Sequence, residues 1–123
     1  MEWSEWILTD NDCWQYMRQN GTKYEMIQAV WLDRTKEDKE QRGLSEYCVV
    51  QGVIDLADYS PEEIEIYISS YGYKYEDREK LGDYMIAECI LEDILLSDAY
   101  VVADVDTIEE AERYIKKTIS IEN

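Results

Sequence analysis

Two glutamates one helical turn apart, Glu88 and Glu92, are the residues of this sequence whose spacing most directly suggests chemistry. Two carboxylates can divide the work of a general acid and a general base between them. The sequence holds 29 acidic residues, however, so chance alone explains a pair at this spacing. There is no histidine, and the "DVD" of residues 104–106 lacks the further ligands and the turn glycine of a calcium loop. We therefore expect a protein that is not an enzyme and that holds no cofactor or metal.

The cysteines and the N-terminus indicate the compartment. Cys13, Cys48 and Cys89 are odd in number and far apart, which favours reduced and mostly buried thiols over disulfides or a zinc site. The N-terminal "MEWSEWILTD" has no basic region before an apolar run, and no stretch is long enough to cross a membrane. We expect a cytosolic protein, and its 123 residues form a single domain, residues 1–123.

The elements that would position these side chains alternate between strands and helices. The β-branched and aromatic segments "EWILT", "YEMIQAVWLD", "EYCVVQGVIDL" and "AYVVADV" predict four strands. The segment "DNDCWQYMRQNG" predicts a short helix that is capped near Asp10 or Asn11 and ends at Gly21. The polar segment "RTKEDKEQRG", residues 34–43, predicts a loop that projects from the body of the protein.

The segment "YSPEEIEIYISSYGYKYEDREK", residues 59–80, carries two conflicting patterns. Its alternation of glutamate with isoleucine favours a strand, whereas its ends favour a helix. Ser60 is a good N-cap, Pro61 suits the first helical position, and Gly72 is placed to end the helix. Glu62 and Glu63 lie where the positive end of the helix dipole favours acids. We predict a helix.

Two further helices complete the predicted fold. Residues 83–97 form a helix with a wide apolar arc made by Met85, Ile86, Cys89, Ile90, Ile94 and Leu96, while Glu88 and Glu92 mark its polar side. In the closing helix Thr107 and Glu110 form a capping box, and the apolar stripe consists of Ile108, Ala111, Ile115 and Ile119. The order β-α-β-β-α-α-β-α predicts an α+β domain with helices packed on a small, largely antiparallel sheet.

The acidic charge is concentrated in the second part of the chain. The net charge is −17, and residues 51–123 hold nineteen acids against six bases. Residues 43–73 and residues 81–112 contain no base at all. A surface this negative repels nucleic acid and anionic membranes, so we expect neither to be bound directly. The expected partner is a basic protein or ribonucleoprotein, in particular a nuclease.

The candidate contact residues are acids without a base within one helical turn, together with a run of tyrosines just past a helix end. Carboxylates one helical turn apart are ~6 Å apart along the axis, close to the spacing of phosphates on one strand. The alternative is an ordinary solvated acidic face. The acids are Asp55, Asp58, Glu62, Glu63, Glu65, Asp83 (which follows Lys80), Glu88, Glu92, Asp93 and Asp98, and the tyrosines are Tyr71, Tyr73 and Tyr75.

In its size, its charge and its base-free runs "GLSEYCVVQGVIDLADYSPEEIEIYISSYGY" and "LGDYMIAECILEDILLSDAYVVADVDTIEE", the chain resembles the small acidic proteins that phages and mobile elements use against host defence. These are the anti-CRISPR and DNA-mimic antirestriction proteins. The resemblance implies an inhibitor of a bacterial defence nuclease, in the first place a CRISPR–Cas effector, whose basic nucleic-acid channel it occupies. Two alternatives remain: an immunity protein that neutralises a basic nuclease toxin, and an acidic structural or regulatory protein of a mobile element.

Overall fold

The computed structural model describes residues 2–32, 43 and 45–122. The predicted projecting loop, residues 34–43, lies outside these residues except for Gly43. Short 3-10 turns cover Leu56–Asp58, Tyr75–Asp77 and Asp98–Tyr100. The strands are β1 (Ile7–Asp10), β2 (Gln15–Asn20), β3 (Lys23–Trp31), β4 (Tyr47–Asp55) and β5 (Val101–Val105), and the helices are α1 (Pro61–Ser69), α2 (Arg78–Ile94) and α3 (Ile108–Glu122).

The five strands form one antiparallel sheet in the order β1-β2-β3-β4-β5. Successive residues of a strand face opposite sides of a sheet. Met26 of β3 accordingly packs with α1 and α2 on one face, whereas Ile27 packs with α3 on the other. The predicted α+β class with a largely antiparallel sheet is confirmed, and helices cover both faces of the sheet.

The helix predicted for "DNDCWQYMRQNG" is wrong, because this segment forms a turn followed by β2. Asp10 does accept a backbone N–H, as a cap would, but the donor is Asp12 at 2.9 Å and the result is a local turn. β2 then pairs with β3 along its whole length, from Tyr16 opposite Ile27 to Asn20 opposite Lys23. The backbone hydrogen bonds of this hairpin override the local preference for a helix.

The helix predicted in residues 59–80 is confirmed as α1. Ser60 Oγ accepts the backbone N–H of Glu63 at 3.2 Å, and Glu63 Oε1 accepts the backbone N–H of Ser60 at 3.2 Å, which completes a capping box. Pro61 occupies the first helical position. Gly72 follows the helix with a φ of 85°, a left-handed conformation that glycine adopts without strain.

The predicted buried helix is α2, although two of its predicted core residues are exposed. Ile86, Cys89 and Ile90 are buried against the sheet as expected. Met85 is 43% exposed, so the apolar arc is narrower than the sequence suggests, and Leu96, which is 68% exposed, lies beyond the end of the helix at Ile94. The axis is kinked at Gly82, whose φ and ψ of 80° and 157° are not helical.

The closing helix, α3, packs as predicted, but its start forms only one of the two hydrogen bonds of the predicted Thr107–Glu110 capping box. Glu110 donates its backbone N–H to Thr107 Oγ1 at 3.1 Å, while the Glu110 carboxylate accepts from the backbone of Asp106 at 3.5 Å. Ala111 and Ile115 are fully buried against the sheet. Among the residues that the structure describes, no helix combines the length and the apolar character that a membrane crossing requires.

A buried ion pair joins β2 to β3 on the α3 side of the sheet. Arg18 Nε lies 2.6 Å from Glu25 Oε1, and the two residues are 8% and 7% exposed. The guanidinium carbon lies 4.7 Å from the ring centroid of Trp3 and 4.4 Å from that of Trp6. Gln51 Nε2 also donates to Glu25 at 3.1 Å. The N-terminal residues therefore cover a polar cluster inside the fold.

Candidate partner-binding site

The sheet separates two layers of very different charge. Residues 55–100, which form α1, α2 and their connections, hold thirteen acids and three bases. The opposite layer is α3, which holds four acids and three bases. One of those bases, Lys116, lies 3.7 Å from Glu112, the pair expected from their spacing. The acidic excess therefore lies on the side of the sheet that carries α1 and α2.

The acids around the start of α1 divide into anchored and unanchored groups. Asp55 accepts from Thr22 Oγ1 at 2.6 Å and from the backbone N–H of Ala57 at 3.0 Å. The hydrogen bond from Thr22 is the largest cause that lowers the pKa of Asp55, and the one from Ala57 is the next. Asp55 is therefore kept ionised. Asp58 and Glu62 are exposed and make no side-chain hydrogen bond or ion pair within the described residues. These two are the acids of this group that a partner can contact without breaking an internal bond.

Glu65 and the tyrosines after α1 have partners inside the chain. Glu65 Oε2 accepts the backbone N–H of Tyr75 at 2.8 Å, which fixes the turn after the helix. Arg78 lies 5.0 Å from the ring centroid of Tyr75, which is partly buried. Tyr71 and Tyr73 are 50% and 39% exposed. Local structure thus explains Glu65, which sequence reasoning left to a partner.

On α2, Glu88 and Glu92 are both hydrogen-bonded, whereas Asp93 is exposed. Gln15 Nε2 donates to Glu88 Oε2 at 3.0 Å, and Tyr71 Oη donates to Glu92 Oε2 at 2.8 Å. Burial is the largest cause that raises the pKa of Tyr71, and the hydrogen bond to Glu92 raises it further. Glu88 is partly buried and does not lie on a fully solvated stripe.

A groove lies between the end of α1 and α2. It has a volume of about 320 Å³, and we call it the Tyr71 groove. Its lining combines carboxylates with an aromatic ring and an exposed leucine, as at a protein contact surface. The lining residues are Gln28, Ser70, Tyr71, Cys89, Glu92, Asp93 and Leu96.

The three cysteines are free thiols, as predicted. Cys48 and Cys89 are buried and Cys13 is partly buried. Burial is the first cause that raises the pKa of Cys13 to about 11, and nearby Asp10 and Glu92 add to it. Burial likewise raises the pKa of Cys89 to about 11. Because a thiolate is the reactive form, neither environment suits a nucleophile at neutral pH.

The pKa of Glu88 gives a test of this electrostatic environment. Burial is the largest cause that raises this pKa, and the negative charges of Glu92 and Asp10 raise it further. The hydrogen bond from Gln15 lowers it. A carboxyl whose folded pKa exceeds its unfolded value of about 4.3 stabilises the fold at low pH, and this contribution is lost as pH rises through the folded pKa. Glu88→Gln keeps an acceptor for Gln15 and is expected to be more stable than the parent at pH 7, with little difference near pH 4.

Urea unfolding of both proteins at pH 4, 5.5 and 7 measures this difference. Asp93→Asn on the same helix is the matched control, because Asp93 is exposed and its removal is expected to change stability equally little at each pH. A Glu88→Gln protein that is less stable than its parent at pH 7 would contradict the raised pKa.

A second groove lies beside the start of α1, with a volume of about 360 Å³, and we call it the Tyr59 groove. Sequence reasoning found its acids and missed its three tyrosines, Tyr59, Tyr67 and Tyr100. Tyr59 precedes α1 and lies eight residues before Tyr67, beyond the three- and four-residue spacings at which helix side chains meet, so the sequence gives no signal for their contact. Nothing in the sequence places Tyr100 with them. The lining residues are Val53, Ile54, Asp55, Asp58, Tyr59, Glu63, Tyr67, Ile94 and Tyr100.

The two grooves collect six of the thirteen predicted contact residues. The Tyr59 groove collects Asp55, Asp58 and Glu63, and the Tyr71 groove collects Tyr71, Glu92 and Asp93. Seven of the predicted residues line neither groove: Glu62, Glu65, Tyr73, Tyr75, Asp83, Glu88 and Asp98. Within the described residues, no three His, Cys, Asp or Glu side chains stand close enough to hold a metal ion. The carboxylates in both linings attract cations and repel anions.

Comparison with protein-family models, with curated proteins and with solved structures finds no match for this chain.

Proposed function

We propose that this protein is an inhibitor that binds the basic nucleic-acid-binding surface of a bacterial defence nuclease, in the first place a CRISPR–Cas effector. In this proposal it acts in the cytosol of the bacterial host and blocks DNA binding by acidic mimicry. The observation that carries the proposal is the uneven charge of the two layers. Thirteen acids and three bases lie in residues 55–100, whereas α3 is almost balanced.

Acidic mimicry requires carboxylates that are free to meet a partner. Asp58, Glu62 and Asp93 are exposed and have no hydrogen bond or ion pair within the described residues. On a basic channel they would take the place of phosphates and release the counterions of the channel. Binding is then expected to weaken as salt rises, as nucleic-acid binding itself does.

Exposed apolar side chains in the same layer favour contact with a protein surface. Ile66, one turn after Glu62 on α1, is 69% exposed, and Leu96 beside the Tyr71 groove is 68% exposed. Such side chains contribute to the buried centre of an interface. They also favour the second candidate, an immunity protein for a basic nuclease toxin, because that partner is recognised by the same combination of charge and apolar contact.

The proposal is tested with purified nucleases of three kinds: CRISPR–Cas effectors with their guide RNA, restriction enzymes and secreted nuclease toxins. Each is incubated with the protein, and the binding of fluorescent DNA is measured. We expect inhibition of an effector with a Kd on the order of 1 nM, a value reached by interfaces of standard size. We expect the Kd to rise between 50 and 200 mM salt, a range over which phosphate-like contacts weaken strongly.

The outcomes separate the candidates. Inhibition of the toxins alone would select the immunity function. Binding that does not depend on salt and leaves DNA loaded on the nuclease would contradict mimicry. An absence of binding to all three kinds of nuclease would overturn the proposal.

A further inference from the structure

The Tyr59 groove combines three aromatic rings with three carboxylates at one position on the surface. The rings belong to Tyr59, Tyr67 and Tyr100, and the carboxylates to Asp55, Asp58 and Glu63. Among the residues that the structure describes, no lysine or arginine lines the groove. The faces of aromatic rings carry negative electrostatic potential, so rings and carboxylates both attract a cation. The groove is therefore built for a positively charged group and would repel an anion.

Local structure holds the acidic wall of this groove in place. Asp55 caps the 3-10 turn Leu56–Asp58 through the backbone N–H of Ala57 and is itself held by Thr22. The capping box at the start of α1 fixes Glu63. Two of the three carboxylates are thus positioned before any ligand arrives, which reduces the entropy that binding must remove.

Packing contacts hold the three tyrosine rings of the groove in place. Tyr59 and Tyr67 meet edge to face, with centroids 5.9 Å apart and planes at 76°. The ring of Tyr100 lies against Gly52 of β4 so closely that a Cβ at this position would be 2.9 Å from its Cδ1. The close approach of Tyr100 to the sheet therefore requires glycine at position 52.

The groups that line the groove influence one another. Burial is the largest cause that raises the pKa of Tyr59. The neighbouring Tyr67 and Tyr100 raise it further, and so do the charges of Glu63 and Asp58. The pKa of Asp55 is lowered, so its charge is present at neutral pH. A volume of about 360 Å³ is enough for one long side chain and lies near the lower end of small-ligand sites, ~300–1,000 Å³.

We propose that the Tyr59 groove binds the guanidinium group of an arginine side chain presented by a protein partner. A guanidinium is planar and can stack on a tyrosine ring, while its N–H groups donate in the plane to flanking carboxylates. A lysine ammonium is more strongly hydrated and cannot stack in this way, so arginine is preferred. The inference rests on the proposed function only in that the basic partner supplies the arginine.

The test uses Nα-acetyl-arginine methylamide as the probe and follows backbone amide NMR shifts of the whole protein. We expect saturable shifts centred on residues that line the Tyr59 groove. The lysine analogue is expected to bind more weakly, and the neutral citrulline analogue, of nearly the same shape, is expected not to saturate. Asp58→Asn removes an exposed carboxylate without a partner in the described chain and is expected to weaken the arginine probe about fivefold.

Two variants control for net charge and for folding. Glu109→Gln on α3 changes the net charge by the same amount on the other side of the sheet and is expected to leave the affinity of the probe unchanged. Tyr67→Leu removes one ring and is expected to abolish saturation, with circular dichroism to establish that it remains folded. If Tyr67→Leu unfolds, the comparison of Asp58→Asn with Glu109→Gln decides the question.

Arginine and citrulline probes of equal affinity, shifts centred on α3, or equal losses in Asp58→Asn and Glu109→Gln would overturn the inference. Its failure is distinguishable from failure of the proposed function. A nuclease that is inhibited although the probe does not bind would leave the proposed function standing and remove the arginine site. A probe that binds although no nuclease is inhibited would leave the arginine site standing and remove the proposed function.

Discussion

Glu25→Leu is expected to lower the free energy of unfolding by about 3–5 kcal/mol, the usual cost of removing one partner from a buried ion pair. The leucine keeps much of the side-chain volume but takes away the carboxylate that lies 2.6 Å from Arg18 Nε. Arg18 is 8% exposed, so water cannot replace the lost carboxylate without opening the fold. Urea unfolding followed by far-UV circular dichroism measures the loss, and tryptophan fluorescence reports the surroundings of the rings of Trp3 and Trp6.

The double variant Arg18→Met with Glu25→Leu separates the pair from the packing around it. Removal of both charges is expected to restore most of the lost stability, because a buried pair and an apolar replacement of similar volume are often equally stable. The partly exposed pair Glu112–Lys116 on α3 is the matched control, and Glu112→Gln is expected to cost less than about 0.5 kcal/mol. A Glu25→Leu protein as stable as this control would contradict the role of Glu25 as the main counter-ion of Arg18.

The sequence was sufficient for the fold class because most local signals agree with the tertiary structure. Ser60, Pro61 and Glu63 specify the start of α1 through hydrogen bonds within four residues of one another. Thr107 does the same for α3. β-branched and aromatic residues mark β3, β4 and β5. In these elements the local preference and the packed structure require the same conformation.

The β2 strand was missed because both of its faces are covered, although its partner β3 follows directly after a tight turn at Gly21 and Thr22. Gln15 and Met17 face one side of the sheet and Arg18 the other, and all three are buried. A strand covered on both faces lacks the alternation of polar and apolar residues that identifies a half-exposed strand. Arg18 is an acceptable core residue only because the register places it opposite Glu25, and that register depends on the hairpin.

The sequence was sufficient to predict where the acidic charge of the candidate site lies, but not which of its carboxylates are held by internal hydrogen bonds. Composition and base-free runs locate the acids, but they do not distinguish an anchored carboxylate from an available one. Glu88 is held by Gln15, which is 73 residues away, and Glu92 by Tyr71, which is 21 residues away. These bonds depend on how α2 packs against the sheet and α1. The Tyr59 groove likewise depends on Tyr100, which lies 41 residues after Tyr59 in the 3-10 turn that leads from α2 into β5.

The combined change Asp58→Asn, Glu62→Gln and Asp93→Asn is expected to weaken binding to the nuclease about 100-fold. This loss corresponds to roughly 2.8 kcal/mol in total, or about 0.9 kcal/mol for each of the three charges. All three acids are exposed and free of internal partners within the described residues, so their neutralisation leaves the fold intact. Glu63 and Glu65 are unsuitable for this test because their carboxylates accept backbone N–H groups. Fluorescence anisotropy of the labelled protein on the nuclease, at several salt concentrations, gives the Kd and its salt dependence.

The matched control is Asp104→Asn, Glu109→Gln and Glu112→Gln, which removes the same three charges from β5 and α3. If the acids of the α1 and α2 layer contact the partner, the control is expected to lose less than about fivefold, the effect of distant charges screened by salt. The first variant is also expected to show a flatter dependence of Kd on salt, because fewer counterions are released when it binds. Equal losses in the two variants would mean that net charge alone attracts the partner, and the assignment of the α1 and α2 layer as the contact face would then be wrong.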